Sequence, residues 1–336
     1  MTRTPHSGGR IAPARATVPA ATDTPLLPAL TALPAPPSRY RGRFAPTPSG
    51  PLHDGSLMTA LASWLYARKA HGAWLLRIDD LDTARCPPRH TTTILRQLEA
   101  HGLYWDETLW YQSQQRNRYR DAYAELRAGG RLYACNCTRR TLRRESRAGV
   151  DGPVYSGHCR KHPPTDAARA AHRLRVNPGQ ATLDDGIQRL LTRDVGQDIG
   201  DFVVQRADGL TGYHFACIVD EAAMRVTHVV RGADLIGATF CQRILQSTLG
   251  LASPDYCHLP VLLDQHGRKL SKQNHASPLD DKQPARNLHR ALMRLGQNPP
   301  VALAQSQPRT VLAWALANWL PQQIPAIRHI GADDMD

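Results

Sequence analysis

The stretch Arg43–Leu57, with the sequence RFAPTPSGPLHDGSL, constrains the fold of this chain more than any other. Prolines and a Ser-Gly turn lead into His53, and apolar residues then recur at the spacing of one helix face, which predicts a strand, a tight loop and a helix. Those residues are Leu57, Ala60, Leu61, Trp64 and Leu65. The free N–H groups and positive dipole end of a helix start suit a phosphate, and His53 could donate to a phosphoryl oxygen. Taken alone, the His-x-Gly pattern fits an ordinary surface loop equally well.

A second stretch, Lys269–Gln273, follows a predicted strand at His258–Leu263 and a turn at residues 264–267. Lys269 and Lys272 stand three residues apart with Ser271 between them, and together they could neutralise a triphosphate. The alternative interpretation is a solvated basic loop without a ligand.

The two stretches together resemble the HIGH and KMSKS motifs of class I aminoacyl-tRNA synthetases, and RFAPTPSGPLHDGSL with the RIDDLD run at residues 77–82 resembles the glutamate-specific branch. The resemblance implies an α/β class I fold, in which a Rossmann-like nucleotide-binding fold carries an inserted zinc-containing α/β region and a short helical C-terminal segment. It assigns His53 and Lys272 to catalysis. It assigns ATP binding to Pro46, His53, Gly55, Ser56, Lys269, Ser271 and Lys272. The last histidine of HIGH is Ser56 here, and the glutamyl branch usually carries a small residue at that position.

Glutamate recognition is the second role that the resemblance assigns. It places Arg43, Ala45, Thr47, Asp79, Tyr213 and Arg231 around the amino acid. Arginine suits a dicarboxylic substrate because its planar guanidinium binds carboxylates bidentately. Asp79 stands where the family has a glutamate, so its reach to the substrate ammonium is one methylene shorter. Two alternatives stay open: Asp79, Asp80 and Asp82 could bind a metal, and Arg231 could simply pair with Asp234.

Cys135 and Cys137 are one residue apart, too close for easy disulfide pairing, and two such thiolates can share a tetrahedral metal with a third cysteine and one more donor. The C-x-C and Y-x-x-x-C runs resemble the zinc site of the synthetase relatives that glutamylate queuosine. That resemblance implies Zn²⁺ held by Cys135, Cys137, Tyr155 and Cys159. His158 and His162 are alternative donors, and unmetallated buried cysteines are the simpler interpretation.

The composition favours a polyanion partner. Lysine and arginine number 42 against 29 acidic residues, which gives a net charge of +13 and fits RNA. No apolar run reaches the ~18 residues that a membrane-spanning helix needs. Seven cysteines in 336 residues are not the framework of a small secreted protein, so a reducing cytoplasm is expected.

The domain organisation is read from changes in pattern along the chain. Residues 1–39, with 8 prolines and 8 alanines, are predicted to be a disordered tail, and an organelle transit peptide is the alternative. Residues 40–133 and 212–278 form the two halves of the catalytic domain, and residues 134–211 an inserted acceptor-binding region. Residues 279–336 form a short helical segment without an anticodon-binding domain. Gly72 is predicted to end the first helix.

The resemblance is strongest to the truncated glutamyl branch that acts on queuosine. It implies that Mg²⁺-bound ATP activates L-glutamate as an adenylate and that the glutamyl group passes to the queuosine base of tRNA(Asp). A cytoplasmic monomer is expected. The alternatives are a short enzyme that charges tRNA(Glu), a small-molecule ligase on the same fold, and a silent RNA-binding paralogue.

Overall fold

A computed structural model of the chain describes residues 39–167, 169–270 and 277–331. The predictions for residues 1–38 and for Ser271 and Lys272 lie outside the described residues. The strands in the described ranges are β1 (Arg41–Phe44), β2 (Ala73–Ile78), β3 (Trp110–Tyr111), β4 (Leu132–Cys135), β5 (Arg147–Gly149), β6 (Gly152–Val154), β7 (Ala171–Leu174), β8 (Gln180–Asp185), β9 (Arg189–Asp194), β10 (Val203–Gln205), β11 (His228–Gly232), β12 (Asp255–Leu259), β13 (Val261–Leu263) and β14 (His329–Gly331). The helices in the same ranges are α1 (Asp54–Lys69), α2 (Pro88–Ala100), α3 (Arg116–Ala128), α4 (Arg139–Glu145), α5 (His158–Lys161), α6 (Tyr213–Ala223), α7 (Ile236–Thr248), α8 (Pro284–Arg294) and α9 (Pro308–Asn318).

The main sheet has the strand order β3-β2-β1-β11-β12-β8-β9, and all neighbours are parallel except the β8–β9 hairpin. The chain runs from β1 to β2 and β3 on one side, and later from β11 to β12 on the other. The order therefore reverses between β1 and β11. In open parallel sheets, ligands bind outside the carboxyl ends of the strands at such a point.

Helices cover both faces of this sheet, which explains why β2 is buried along almost its whole length. The largest apolar cluster joins α1 to β1, β2 and the C-terminal helices α8 and α9. A second sheet, β10-β7-β4, carries the segment with the clustered cysteines. None of the helices in the described ranges is both long and apolar enough to cross a membrane.

Three local predictions need correction. The helix α1 ends before His71, which has the positive φ of 49°, whereas Gly72 serves close packing: a Cβ there would lie 2.3 Å from the Tyr40 carbonyl oxygen. The strand predicted over residues 258–263 is two strands, because Pro260 between them has no N–H for the ladder. The sequence pattern also predicts a strand over residues 187–191, which in the structure begins only at Arg189, and it does not predict β8.

Candidate active site

A cavity of about 1010 Å³ opens where the strand order reverses, at the carboxyl ends of β1 and β11. Ten of the predicted site residues line it: Arg43, Ala45, Pro46, Thr47, His53, Gly55, Ser56, Tyr213, Arg231 and Lys269. Four cationic side chains and one carboxylate are among the described lining residues, so the cavity favours an anionic ligand. The structure thus brings the two predicted motifs to one place, although Ser271 and Lys272 lie outside the described residues.

The start of α1 forms one wall. His53 is the residue before the first turn, and its backbone N–H donates to Ser56 Oγ at 2.7 Å. Gly55 leaves room for the imidazole, since a Cβ at that position would lie 3.3 Å from the His53 ring. Asp54 does not line the cavity and forms ion pairs with Arg290 and Arg294 of α8. The wall therefore presents an imidazole and the positive end of a helix without an adjacent carboxylate.

Arg43 reaches the cavity from β1 and is held by Glu221 of α6. The Oε1 atom of Glu221 accepts from Arg43 Nε at 3.1 Å and from Nη2 at 2.9 Å. The same oxygen lies 3.7 Å from Arg77 Nη1, and Arg77 Nε donates to Asp79 at 2.7 Å. All four side chains are buried, so Asp79, Arg77, Glu221 and Arg43 form one continuous charge network behind the cavity.

Burial acts to raise the pKa of Glu221, but Arg43 and Arg77 outweigh it and hold that pKa below its ordinary value. For Asp79 the balance is opposite, because burial raises the pKa more than Arg77 lowers it. Asp79 does not line the cavity, and both of its carboxylate oxygens accept from Arg77. The structure thus brings Asp79 to Arg77, behind the cavity wall.

Arg231 reaches the cavity from β11 and is 4% exposed. Its Nε donates to His258 Nε2 at 3.3 Å, and its Nη2 donates to Thr239 Oγ1 at 2.6 Å and to Gln242 Oε1 at 2.7 Å. Nη1 is buried and has no hydrogen-bond partner among the described residues. The alternative pairing with Asp234 is wrong, since Asp234 pairs with Lys269. Arg231 therefore retains donors that a carboxylate ligand could use.

In the acidic run after β2 each carboxylate has its own partner, and the three do not form a candidate metal-ligand group among the described residues. Asp80 accepts from the Ser113 backbone N–H at 2.8 Å and from its hydroxyl at 2.6 Å. Asp82 accepts from Arg85 at 2.8 Å. Together with the Asp79–Arg77 pair, these contacts explain why the three carboxylates do not converge.

Three cysteines do converge. The Sγ atoms of Cys135, Cys137 and Cys159 lie within 4.8 Å of one another, and this is the only such metal-binding group found among the described residues. The Tyr155 hydroxyl oxygen lies 3.5 Å from both Cys135 and Cys137. A tetrahedral ion with a metal–sulfur distance of about 2.3 Å and a metal–oxygen distance of about 2.0 Å would give a sulfur–oxygen separation of roughly 3.5 Å. The donor set and spacing therefore fit a metal ion.

The surroundings act oppositely on Cys135 and Cys137. The Cys159 backbone N–H donates to the Tyr155 oxygen at 2.8 Å, and this oxygen faces the sulfurs of Cys135 and Cys137. Burial raises the pKa of Cys135, but hydrogen bonding with Tyr155 and the hydrogen bond from Arg173 at 3.2 Å lower it to about 7. Burial and the neighbouring Cys159 and Cys135 raise the pKa of Cys137 to about 11. His158, an alternative donor, is half exposed and faces Glu145 instead.

No sequence motif predicted the residues that hold the two arginines in place. They are Glu221, Asp185, His258, Thr239 and Gln242. One signal was present, because Asp220 and Glu221 interrupt an otherwise apolar helix, and a buried charge requires a partner. The partners are distant in the sequence and carry no local pattern.

Comparison with known proteins places this geometry in a family. Residues 39–302 match the family described as tRNA synthetases class I (E and Q), catalytic domain. The chain is 48% identical over 296 residues to the glutamyl-Q tRNA(Asp) synthetase of Methylococcus capsulatus, covering 88% of this chain and 96% of that one. It is 46% identical to the protein of the same name from Chromobacterium violaceum, covering 85% and 96%.

The fold is also that of a solved synthetase. A glutamate tRNA ligase from Elizabethkingia meningosepticum superposes with a TM-score of 0.71 at 23% identity, covering 87% of this chain and 67% of that one. The family match spans most of the chain, and the curated relatives are matched over nearly their whole length. The chain therefore belongs to the class I aminoacyl-tRNA synthetases of the glutamyl and glutaminyl type, a family of ligases, and within it to the group of the glutamyl-Q tRNA(Asp) synthetases.

Proposed function

We propose that this protein activates L-glutamate with ATP and transfers the glutamyl group to the queuosine base of tRNA(Asp). The observation that carries the proposal is the pairing of two buried arginines, Arg43 and Arg231, with the start of α1 in one cavity. A dicarboxylic amino acid and a triphosphate are the ligands that such an arrangement suits. The names of the relatives that are 43–48% identical support the choice of acceptor.

Activation would begin with ATP lying along the N-terminus of α1, its Mg²⁺ bound as part of the substrate. A carboxylate oxygen of glutamate attacks the α-phosphorus, the bond to the bridging oxygen breaks, and pyrophosphate leaves with its electron pair. His53 and Lys269 would stabilise the charge that develops on the phosphates, and Lys272 is assigned the same role from the sequence. Arg231, Arg43 and Tyr213 would hold the glutamate, with Ala45 and Thr47 forming part of the cavity wall.

Transfer would follow at the same site. A hydroxyl of the cyclopentene-diol ring of queuosine attacks the carbonyl carbon of the mixed anhydride, AMP leaves, and the hydroxyl proton is released. The net charge of +13 supports an RNA partner, and we propose that the enzyme acts as a cytoplasmic monomer. Cys135, Cys137, Tyr155 and Cys159 would hold a zinc ion whose role is to cross-link the segment between β4 and β7.

The proposal is tested by transfer of labelled glutamate to purified tRNA(Asp) with and without queuosine, alongside tRNA(Glu). Label is expected only on queuosine-bearing tRNA(Asp), and it should persist after enzymatic removal of the 3′-terminal adenosine. Label on tRNA(Glu) would instead identify a short charging enzyme. Label on neither tRNA would reject the transfer reaction.

The substitution His53→Ala is expected to slow glutamate-dependent ATP–pyrophosphate exchange by about 100-fold, because one donor to the developing phosphate charge is lost. The fold should persist, since His53 is only partly buried at the start of α1. The matched control is His329→Ala, which removes an exposed histidine of β14 outside the cavity and should leave exchange unchanged. Equal exchange by both variants would exclude His53 from the chemistry.

A further inference from the structure

We propose that Asp185 and His258 are positioning residues that fix the guanidinium of Arg231 for the substrate carboxylate, with His258 acting as a neutral hydrogen-bond acceptor. The inference rests on the proposed function, because it assigns the positioning of a residue in the glutamate site. It comes from a buried Asp-His-Arg arrangement on three neighbouring strands, β8, β12 and β11.

Most hydrogen-bond donors of Arg231 are already used within the protein. A guanidinium has five N–H groups and no acceptor. His258 takes the one on Nε, while Thr239 and Gln242 take the two on Nη2. Only the two N–H groups on Nη1 are left, and this nitrogen has no partner among the described residues. The protein therefore anchors three N–H groups of Arg231 and leaves one nitrogen for the ligand.

Asp185 fixes the tautomer of His258. Asp185 Oδ1 accepts from the backbone N–H groups of Ile187, Gln188 and His258 at 2.8–3.1 Å, and its Oδ2 lies 2.6 Å from His258 Nδ1. Burial acts to raise the pKa of Asp185, but the bonds from His258 and the backbone lower it. An ionised Asp185 requires a proton on Nδ1, so the lone pair of a neutral ring is on Nε2.

The surroundings of His258 disfavour a positive charge on its imidazole. Its Nε2 faces Arg231 Nε at 3.3 Å and Thr239 Oγ1 at 2.8 Å. A proton on Nε2 would oppose the N–H of Arg231 and place two cations in contact in a buried space. Burial lowers the pKa of His258 and Arg231 lowers it further, against the raising effects of Asp185 and the more distant Asp234. The Tyr256 ring stacks on the imidazole with centroids 6.1 Å apart.

The orientation of Arg231 therefore depends on an unprotonated Nε2. Protonation of His258 would break the hydrogen bond from Arg231 Nε and allow the guanidinium of Arg231 to rotate. This rotation would weaken a contact between Arg231 Nη1 and the substrate carboxylate. If His258 served only to join β12 to β8, the hydrogen bond from its Nδ1 to Asp185 would be sufficient and an acceptor at Nε2 would not be required. The two roles can be separated, since asparagine can retain a donor near Nδ1 and glutamine an acceptor near Nε2.

The test measures KM for glutamate and for ATP in pyrophosphate exchange by the full chain, with His258→Asn and His258→Gln. His258→Asn is expected to raise the glutamate KM by about 10- to 100-fold, the effect of losing a hydrogen bond to a charged group, with the ATP KM changed less than about twofold. The glutamate KM of His258→Gln should be at least about tenfold lower than that of His258→Asn. In the wild type the glutamate KM should rise as the pH falls through the pKa of His258, which burial holds below its ordinary value of 6.5, and this rise should be absent in His258→Gln.

The outcomes are distinct. A glutamine variant that is worse than the asparagine variant, or that retains the acid dependence, overturns the positioning role and leaves His258 as a link between strands. Absence of glutamate-dependent exchange in the wild type rejects the proposed function itself, and the inference with it. Equal increases in both KM values would show a general loss of structure and would overturn the proposal as well.

Discussion

The substitution Glu221→Gln is expected to lower the free energy of unfolding by about 3–5 kcal/mol, the usual cost of removing one partner of a buried ion pair. Glu221 is 2% exposed and Arg43 is 4% exposed, so neither charge can be solvated in place. The substituted amide would present no negative charge to Arg43, which donates two hydrogen bonds to Oε1 in the native protein, or to Arg77, whose Nη1 lies 3.7 Å from the same oxygen. Urea unfolding of the purified protein measures the loss.

The pH dependence of this contribution has a definite sign. The folded-state pKa of Glu221 lies below its ordinary value of 4.5, so the stabilisation is complete above that pH. It is lost as the pH falls through the lower folded-state value. The difference in unfolding free energy between the wild type and Glu221→Gln should therefore be constant near neutral pH and shrink in acid.

The matched control is Glu145→Gln, which removes the same charge from a surface ion pair. Arg144, the partner, is 74% exposed, so the expected loss is much smaller than that at Glu221. An equally small loss at Glu221 would contradict the buried network.

The double substitution of Arg43 and Glu221 by methionine separates stability from function, because an apolar pair should regain much of the stability while glutamate activation stays lost.

Local patterns account for what was predicted from the sequence. The strand β1, the following loop and α1 adjoin in the chain, and the helix spacing from Leu57 to Leu65 is a property of a single segment. The helical segment predicted over residues 279–336 contains α8 and α9, and the buried run of β2 is likewise a property of one short segment. The positions of Arg43, His53 and Arg231 in one cavity came from the resemblance to a family rather than from periodicity.

The unpredicted part consists of long-range contacts. Glu221 pairs with Arg43 across 178 residues, and Asp185 pairs with His258 across 73. Neither pairing produces a periodic pattern or a turn motif in the sequence, because each depends on which elements become neighbours in the fold. The missed strand β8 has the same origin, since the polar sequence QATLDD is stabilised by its partners β9 and β12 rather than by its own propensity.

The substitution Cys137→Ser is expected to abolish stoichiometric zinc binding, with an affinity loss of more than about 100-fold, because a neutral hydroxyl replaces a thiolate ligand. Zinc is measured by elemental analysis of protein purified without chelators, and affinity by competition with a coloured chelator. The control is Cys241→Ser, which changes a half-buried thiol outside the cysteine group. Wild-type protein without zinc would refute the proposed metal site.

The loss of zinc should also loosen the surrounding segment, because its apolar cluster is small. The apolar cluster there contains the buried residues Tyr133, Cys135, Tyr155 and Cys159, and three of these four would be metal ligands. The helix α5 has four residues, and the β5–β6 hairpin is an isolated pair of strands. Amide hydrogen exchange should therefore accelerate in α5 and the hairpin of Cys137→Ser while β1, β2 and β11 keep their protection. Uniform acceleration over the whole chain would mean that the ion stabilises the catalytic sheet, whereas unchanged exchange in α5 would remove the structural role assigned to the metal.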